Sequence, residues 1–125
     1  MRISGIYAIL NTTAPECYVG QSVDIYRRLA EHLTYFRESR NSQNIQVPWN
    51  TYGEDNFTFL VLEVCEEDYK TLAKLENYWI NQIGTYNQTL PPDASRYPRW
   101  QKQMRLLLRR TSLMRLPEIK KEQLF

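Results

Sequence analysis

The sequence predicts an α+β fold whose elements run hairpin, helix, short helix, strand, helix, followed by a basic C-terminal helix. Three observations carry this reading. The chain opens with two strand-like segments, ISGIYAIL at 3–10 and CYVG at 17–20, separated by the turn-rich NTTAPE. Two long stretches, 22–39 and 66–84, repeat apolar residues at helical spacing. Between them FTFLVLEV, at 57–64, is dominated by β-branched and aromatic residues.

In the hairpin, Gly5 stands two before Tyr7 and Gly20 two after Tyr18. Residues two apart on a strand share a face, so each glycine is expected to leave bare backbone beside a phenol, a floor open to a ligand. The helix that follows has Ser22 as its N-cap, Asp24 in its first turn, and Ile25, Leu29, Leu33 and Phe36 on its apolar side. After the polar loop ESRNSQN, VPWNTYG reads as a short helix with Pro48 near its start and Gly53 at its close. The strand at 57–64 is expected to be buried. In EEDYKTLAKLENYWINQIG the acidic start suits the helix dipole, Gly84 marks the stop, and Tyr69, Leu72, Leu75, Trp79, Ile80 and Ile83 define the packed side.

The paired prolines of LPPDAS mark a boundary, dividing the chain into residues 1–90 and a linker with a helical tail at 91–125. From Pro98 the tail carries Trp100, Met104, Leu107, Leu108 and Met114, with Arg99, Lys102, Arg105, Arg109, Arg110 and Arg115 elsewhere on the cylinder. Charge divides at the same place: residues 1–90 hold seven Lys/Arg against eleven Asp/Glu, net minus four, and 91–125 hold nine against three, net plus six. A basic segment on a mildly acidic body suggests a polyanionic partner. The competing reading docks the tail's apolar residues on the body or on a second subunit and leaves its arginines in solvent.

At 125 residues the chain can bury roughly two thirds of its unfolded surface, so no metal or disulfide staple is required. Cys17 and Cys65 make no metal-ligand spacing with each other or with His32, and read as buried thiols. There is no run of about 18 apolar residues and no basic-then-apolar leader, which excludes a helical span and leads us to expect a cytoplasmic protein.

Chemistry emerges when four features are read together. Arg28 and His32, four apart, project from one side of a helix and could grip one phosphate, the arginine fork matching its oxygens. Glu76 lies four after Leu72 and three before Trp79, a carboxylate at the edge of an apolar stripe that needs a partner. Each alone reads more simply as a surface pair or an ion-paired carboxylate. Combined with Tyr7, Tyr18 and a basic tail, they supply what phosphodiester hydrolysis uses: a base, an anion clamp, a metal ligand and a grip on the polymer.

These residues carry a resemblance. Gly5-Ile6-Tyr7, ten residues, then Tyr18-Val19-Gly20 resembles the paired motif of the GIY-YIG nucleases, with Val in the middle position usually held by Ile. The likeness continues through Arg28 and His32, Glu76 in LENYWI and Asn87 in TYN, spanning residues 3 to about 88, and is nearest in character to phage and intron-encoded homing endonucleases.

The resemblance implies a small three-stranded antiparallel sheet flanked by helices and a metal-dependent DNA endonuclease acting on double-stranded DNA in a phage or bacterial host cell. It implies that Tyr7 is general base on the attacking water, that Tyr18 orients water or phosphate, and that Arg28 and His32 stabilise the scissile phosphate. Glu76 would hold a single Mg²⁺ or Mn²⁺, weakly bound without DNA, and Asn87 would support the site. On this reading Gly5 and Gly20 give backbone access, and Arg99, Lys102, Arg105, Arg109 and Arg110 contact DNA. One such site cuts one strand, so a double-strand cut calls for a homodimer, sequential nicking or a second site. The alternatives are a restriction endonuclease, a structure-specific repair or recombination nuclease, and, from another class, a catalytically silent DNA-binding module.

Overall fold

The computed structural model of the chain describes residues 2–14, 16–40, 44–87 and 118–125 and positions 102, 103, 105, 106 and 109. Strands β1 (Gly5–Asn11) and β2 (Glu16–Ser22) form the hairpin, followed by helix α1 (Ile25–Arg37), α2 (Gln46–Tyr52), β3 (Phe57–Val64) and α3 (Tyr69–Ile83). A 3-10 turn, Thr85–Asn87, closes α3, and a two-residue strand β4 (Glu118–Ile119) lies near the C-terminus. The strands are ordered β2-β1-β3-β4, all neighbours antiparallel.

The expected antiparallel sheet and flanking helices are present, but the sheet has four strands rather than three. β4 pairs Ile119 with Phe59 and Glu118 with Leu60, burying Ile119 along what would otherwise be an open edge of β3. Lys121 reinforces the seam, its Nζ donating to the carbonyls of Glu54 at 2.9 Å and Phe57 at 2.8 Å. Two paired residues among charged neighbours carry no periodicity, which is why sequence reasoning assigned them to the tail.

Every residue of the central strand β1 is buried, because both faces of the sheet are covered. One face packs Tyr7, Ile9, Phe57 and Phe59 against Ile25, Leu29, Leu33 and Phe36 of α1 and Trp49 of α2. Trp49 stacks on Phe36 at 4.4 Å between ring centroids, so the short helix α2 acts chiefly as the carrier of one aromatic plug. The other face packs Ile6, Ala8, Leu10, Cys17 and Val19 against Leu72 and Ile83 of α3, with Leu75, Trp79 and Ile80 partly buried.

Two local expectations change. β2 runs on through Ser22, so α1 is capped by Asp24, whose carboxylate accepts from the Arg27 N–H at 3.3 Å. Helix α3 likewise starts after Asp68, which accepts from the Thr71 N–H and hydroxyl at 3.2 and 2.6 Å. Tyr69 therefore sits at the first turn, past the end of the apolar stripe, and is 85% exposed instead of packed.

In the tail, residues 102, 103, 105, 106 and 109 are helical, with Lys102, Arg105 and Arg109 exposed. Arg99 and Arg110, also expected to contact DNA, lie outside the described residues, as do the apolar positions Trp100, Met104, Leu107 and Leu108.

Candidate active site

Strand β1 aims Tyr7 at the α1 face, directly opposite Gly20 of β2. The ring crosses the glycine so closely that a Cβ there would lie 2.3 Å from the Tyr7 hydroxyl oxygen and 2.4 Å from Cζ. The space over Gly20 is therefore filled by Tyr7, which corrects the expectation of an open floor. Gly5 has a different reason: a Cβ would stand 2.0 Å from the carbonyl oxygen of Glu63, where the β1–β3 ladder shifts register between Ile6 and Tyr7. That glycine admits the neighbouring strand, not a ligand.

Tyr7 is 1% exposed and His32 fully buried, and the Tyr7 hydroxyl meets His32 Nε2 at 2.8 Å. Tyr18, from β2, stands edge-on to the same imidazole with ring centroids 5.7 Å apart, and Phe36 stacks beneath it at 5.6 Å. One turn before His32, the Arg28 guanidinium lies near the Tyr7 hydroxyl and favours its ionised form. Its Nη1 also donates to Glu31 Oε2 at 3.1 Å, with its side chain 32% exposed. Tyr7, Tyr18, Arg28 and His32 thus converge, but of the Arg28/His32 pair only the arginine is partly open to solvent.

Burial pushes the Tyr7 hydroxyl well above the usual phenol range, assisted by Tyr18 and opposed by Arg28. Tyr18 moves the same way for the same main reason. Burial lowers His32 to about 3, helped by the Arg28 guanidinium, so at neutral pH its imidazole is uncharged. A neutral imidazole against a neutral phenol can take up a proton; it is not a second cation for a phosphate.

Glu76, on α3, is half-buried near Gln21 of β2, whose side chain and backbone N–H favour its charged form. Burial raises its carboxyl, and a cation beside it would reverse that shift. Among the described residues no group of three or more His, Cys, Asp or Glu is placed to hold a metal. A single hard oxygen donor fits a magnesium-like ion only where water and substrate oxygens complete the shell.

Asn87 lies outside this cluster and bonds both backbone groups of Val19, the residue between Tyr18 and Gly20. Sequence reasoning missed Glu31, which pairs with both Arg27 at 2.7 Å and Arg28 at 3.1 Å, and Gln21, which lies near Glu76 and favours its charged form. The signal for Glu31 was its spacing, three and four residues after two arginines on one helix. No spacing rule pointed to Gln21.

A family model described as the GIY-YIG catalytic domain matches residues 3–89. "Probable intron-encoded endonuclease 1" of Neurospora crassa is 32% identical over 88 residues, covering 66% of this chain and 28% of the relative. "Probable intron-encoded endonuclease bI1" of the same organism is 28% identical over 93 residues, covering 68% and 20%. The chain thus spans less than a third of the length of these curated relatives. The solved catalytic domain of the homing endonuclease I-TevI superposes with a TM-score of 0.61 at 28% identity, over 64% of this chain and 87% of that one. A mutant of the same domain gives 0.63 at 28% identity, over 70% and 90%.

Proposed function

Because the chain belongs to the GIY-YIG catalytic domain family, we propose that it is a metal-dependent DNA endonuclease of homing type that hydrolyses phosphodiester bonds at the Tyr7–His32 site. The observation that carries the proposal is the 2.8 Å contact between the buried Tyr7 hydroxyl and His32 Nε2, with the Arg28 guanidinium near the same hydroxyl. The likeness to intron-encoded and homing endonucleases supports DNA as the substrate.

Tyr7 cannot act as a standing phenolate, since burial opposes its ionisation. It acts as a relay: the hydroxyl oxygen takes a proton from the attacking water while its own proton passes to His32 Nε2, an uptake that burial opposes and that the departure of Arg28 and the arriving phosphate charge favour. The neutral imidazole offers Nε2 as the acceptor this requires when its proton sits on Nδ1. Arg28 swings from Tyr7 and Glu31 onto the scissile phosphate, where its fork matches two oxygens, and in doing so uncovers the Tyr7 hydroxyl. Tyr18 holds the water or the phosphate against this group. Glu76 would hold one Mg²⁺ or Mn²⁺, and that ion, when bound, would offset charge developing on the leaving 3′ oxygen.

The test is nicking of supercoiled plasmid DNA in Mg²⁺ and in EDTA, with Glu76→Ala beside the wild type. Metal-dependent nicking by the wild type that is lost in the variant is the expected result. Nicking that persists undiminished in EDTA would remove the metal from the proposal, and metal-dependent nicking undiminished in Glu76→Ala would remove Glu76 as its ligand.

A further inference from the structure

Among the described residues strand β2 is one outer strand of the sheet, and its outward-facing backbone positions are the alternate residues Cys17, Val19 and Gln21. The first two are taken by side chains of the turn after α3. Thr85 Oγ1 accepts from the Cys17 N–H at 2.8 Å and lies 3.5 Å from the Cys17 carbonyl, to which the hydroxyl donates. Asn87 accepts from the Val19 N–H with Oδ1 and donates to the Val19 carbonyl with Nδ2, both at 2.8 Å. Glu76 lies near the third position, Gln21. Between Thr85 and Asn87, the buried Tyr86 accepts from Asn11 Nδ2 at 3.2 Å, tying the same turn to the end of β1.

Two side chains, Thr85 and Asn87, therefore bond this row as a neighbouring strand would, a pattern that could serve only to cover an edge. What lies between the clamped positions argues for more. Tyr18 sits between Cys17 and Val19, and because strand side chains alternate it faces His32 while its neighbours face α3. The same row of backbone groups ends at Glu76. Fixing the row fixes the separation between the phenol of Tyr18 and the carboxylate of Glu76, two groups on opposite sides of the sheet's edge.

We propose that Thr85 is a positioning residue for DNA cleavage, holding the Cys17 end of β2 so that Tyr18 keeps its aim at the reacting phosphate. The inference rests on the role of Tyr18 in the proposed function. Removing the hydroxyl leaves the buried Cys17 N–H without its partner and loosens one end of the strand, and displacements of about 1 Å in a reacting group cost on the order of a hundredfold in rate.

The experiment compares Thr85→Val, Thr85→Ser and Tyr18→Phe with the wild type in the whole chain. The readouts are the nicking rate on supercoiled plasmid in Mg²⁺, plasmid affinity in EDTA, and amide exchange at Cys17 and Val19. Thr85→Val should nick at least roughly tenfold more slowly with affinity unchanged within about twofold, and should exchange Cys17 faster; Thr85→Ser should restore both. A folded Thr85→Val that nicks at the wild-type rate, a Thr85→Ser no faster than Thr85→Val, or Cys17 exchange that does not rise would overturn the inference. Wild-type nicking by Tyr18→Phe would instead remove the role of Tyr18, and is distinguished by leaving the Cys17 exchange result standing.

Discussion

The hydroxyl of Tyr7 bonds an uncharged imidazole, and the burial that keeps His32 uncharged makes it a source of acid sensitivity. An unfolded histidine takes up a proton near 6.5, whereas buried His32 resists until about 3. Between those values the unfolded chain binds the extra proton, so stability is fully present above about 6.5 and falls as pH is lowered through the window. The urea midpoint should fall on acidification from pH 7 to 4, and less steeply in His32→Gln. His32 is the sole histidine, so its imidazole NMR signals are unambiguous. They should not titrate between pH 8 and 5, and a midpoint near 6.5 would contradict the burial argument. At Gly5 the structure reverses what the motif suggested. On the open-floor reading a valine there would only block substrate, but its Cβ would strike the Glu63 backbone at 2.0 Å. Gly5→Val is predicted instead to lose stability, measured as a lower thermal midpoint, before any effect on cleavage can be read.

Among the elements, α1 was the most legible in sequence, because Ile25, Leu29, Leu33 and Phe36 announce a buried stripe and all four are buried. That His32 joins them was not legible. Its position, three after Leu29 and four before Phe36, lies on the stripe, yet an arginine four residues earlier made a solvent-facing pair equally natural. Only the opposing strands decide it, by bringing Tyr7 and Tyr18 onto the imidazole. The cap was misplaced from Asp24 to Ser22 because strand and helix signals overlap there, and strand pairing with β1 extends to Gly5–Ser22. Asp24→Ala should therefore cost about 1 kcal/mol of unfolding free energy, while Ser22→Ala should cost less. On α2, Trp49→Ala should cost about 3–5 kcal/mol, since its ring stacks on Phe36 and packs on Phe57 and Phe59. Chemical denaturation of the three variants ranks them, and an Asp24→Ala loss smaller than that of Ser22→Ala would put the cap back in question.

For the molecule as a whole, the C-terminal segment acts on the sheet as well as carrying charge. Sequence reasoning saw nine basic residues beyond position 90 and proposed contacts to DNA; it did not see Ile119 and Lys121 closing the β3 edge. Removing residues 118–125 should lower the thermal midpoint and promote association through the bared edge, measurable by light scattering. Replacing Lys102, Arg105 and Arg109 with alanine leaves that seam intact. If these exposed groups neutralise phosphates, the log-log salt slope of DNA binding should fall by roughly 0.9 for each phosphate no longer neutralised, and an unchanged slope would assign the tail to other duties.

The most direct test of the central claim removes one oxygen atom. Single-turnover nicking of supercoiled plasmid in Mg²⁺ is compared between the wild type and Tyr7→Phe, with DNA affinity measured alongside in EDTA. The proton relay predicts that Tyr7→Phe binds plasmid as the wild type does and nicks it at least about a hundredfold more slowly. A folded Tyr7→Phe that nicks at the wild-type rate would contradict the account, because the Tyr7–His32 contact would then contribute to packing alone.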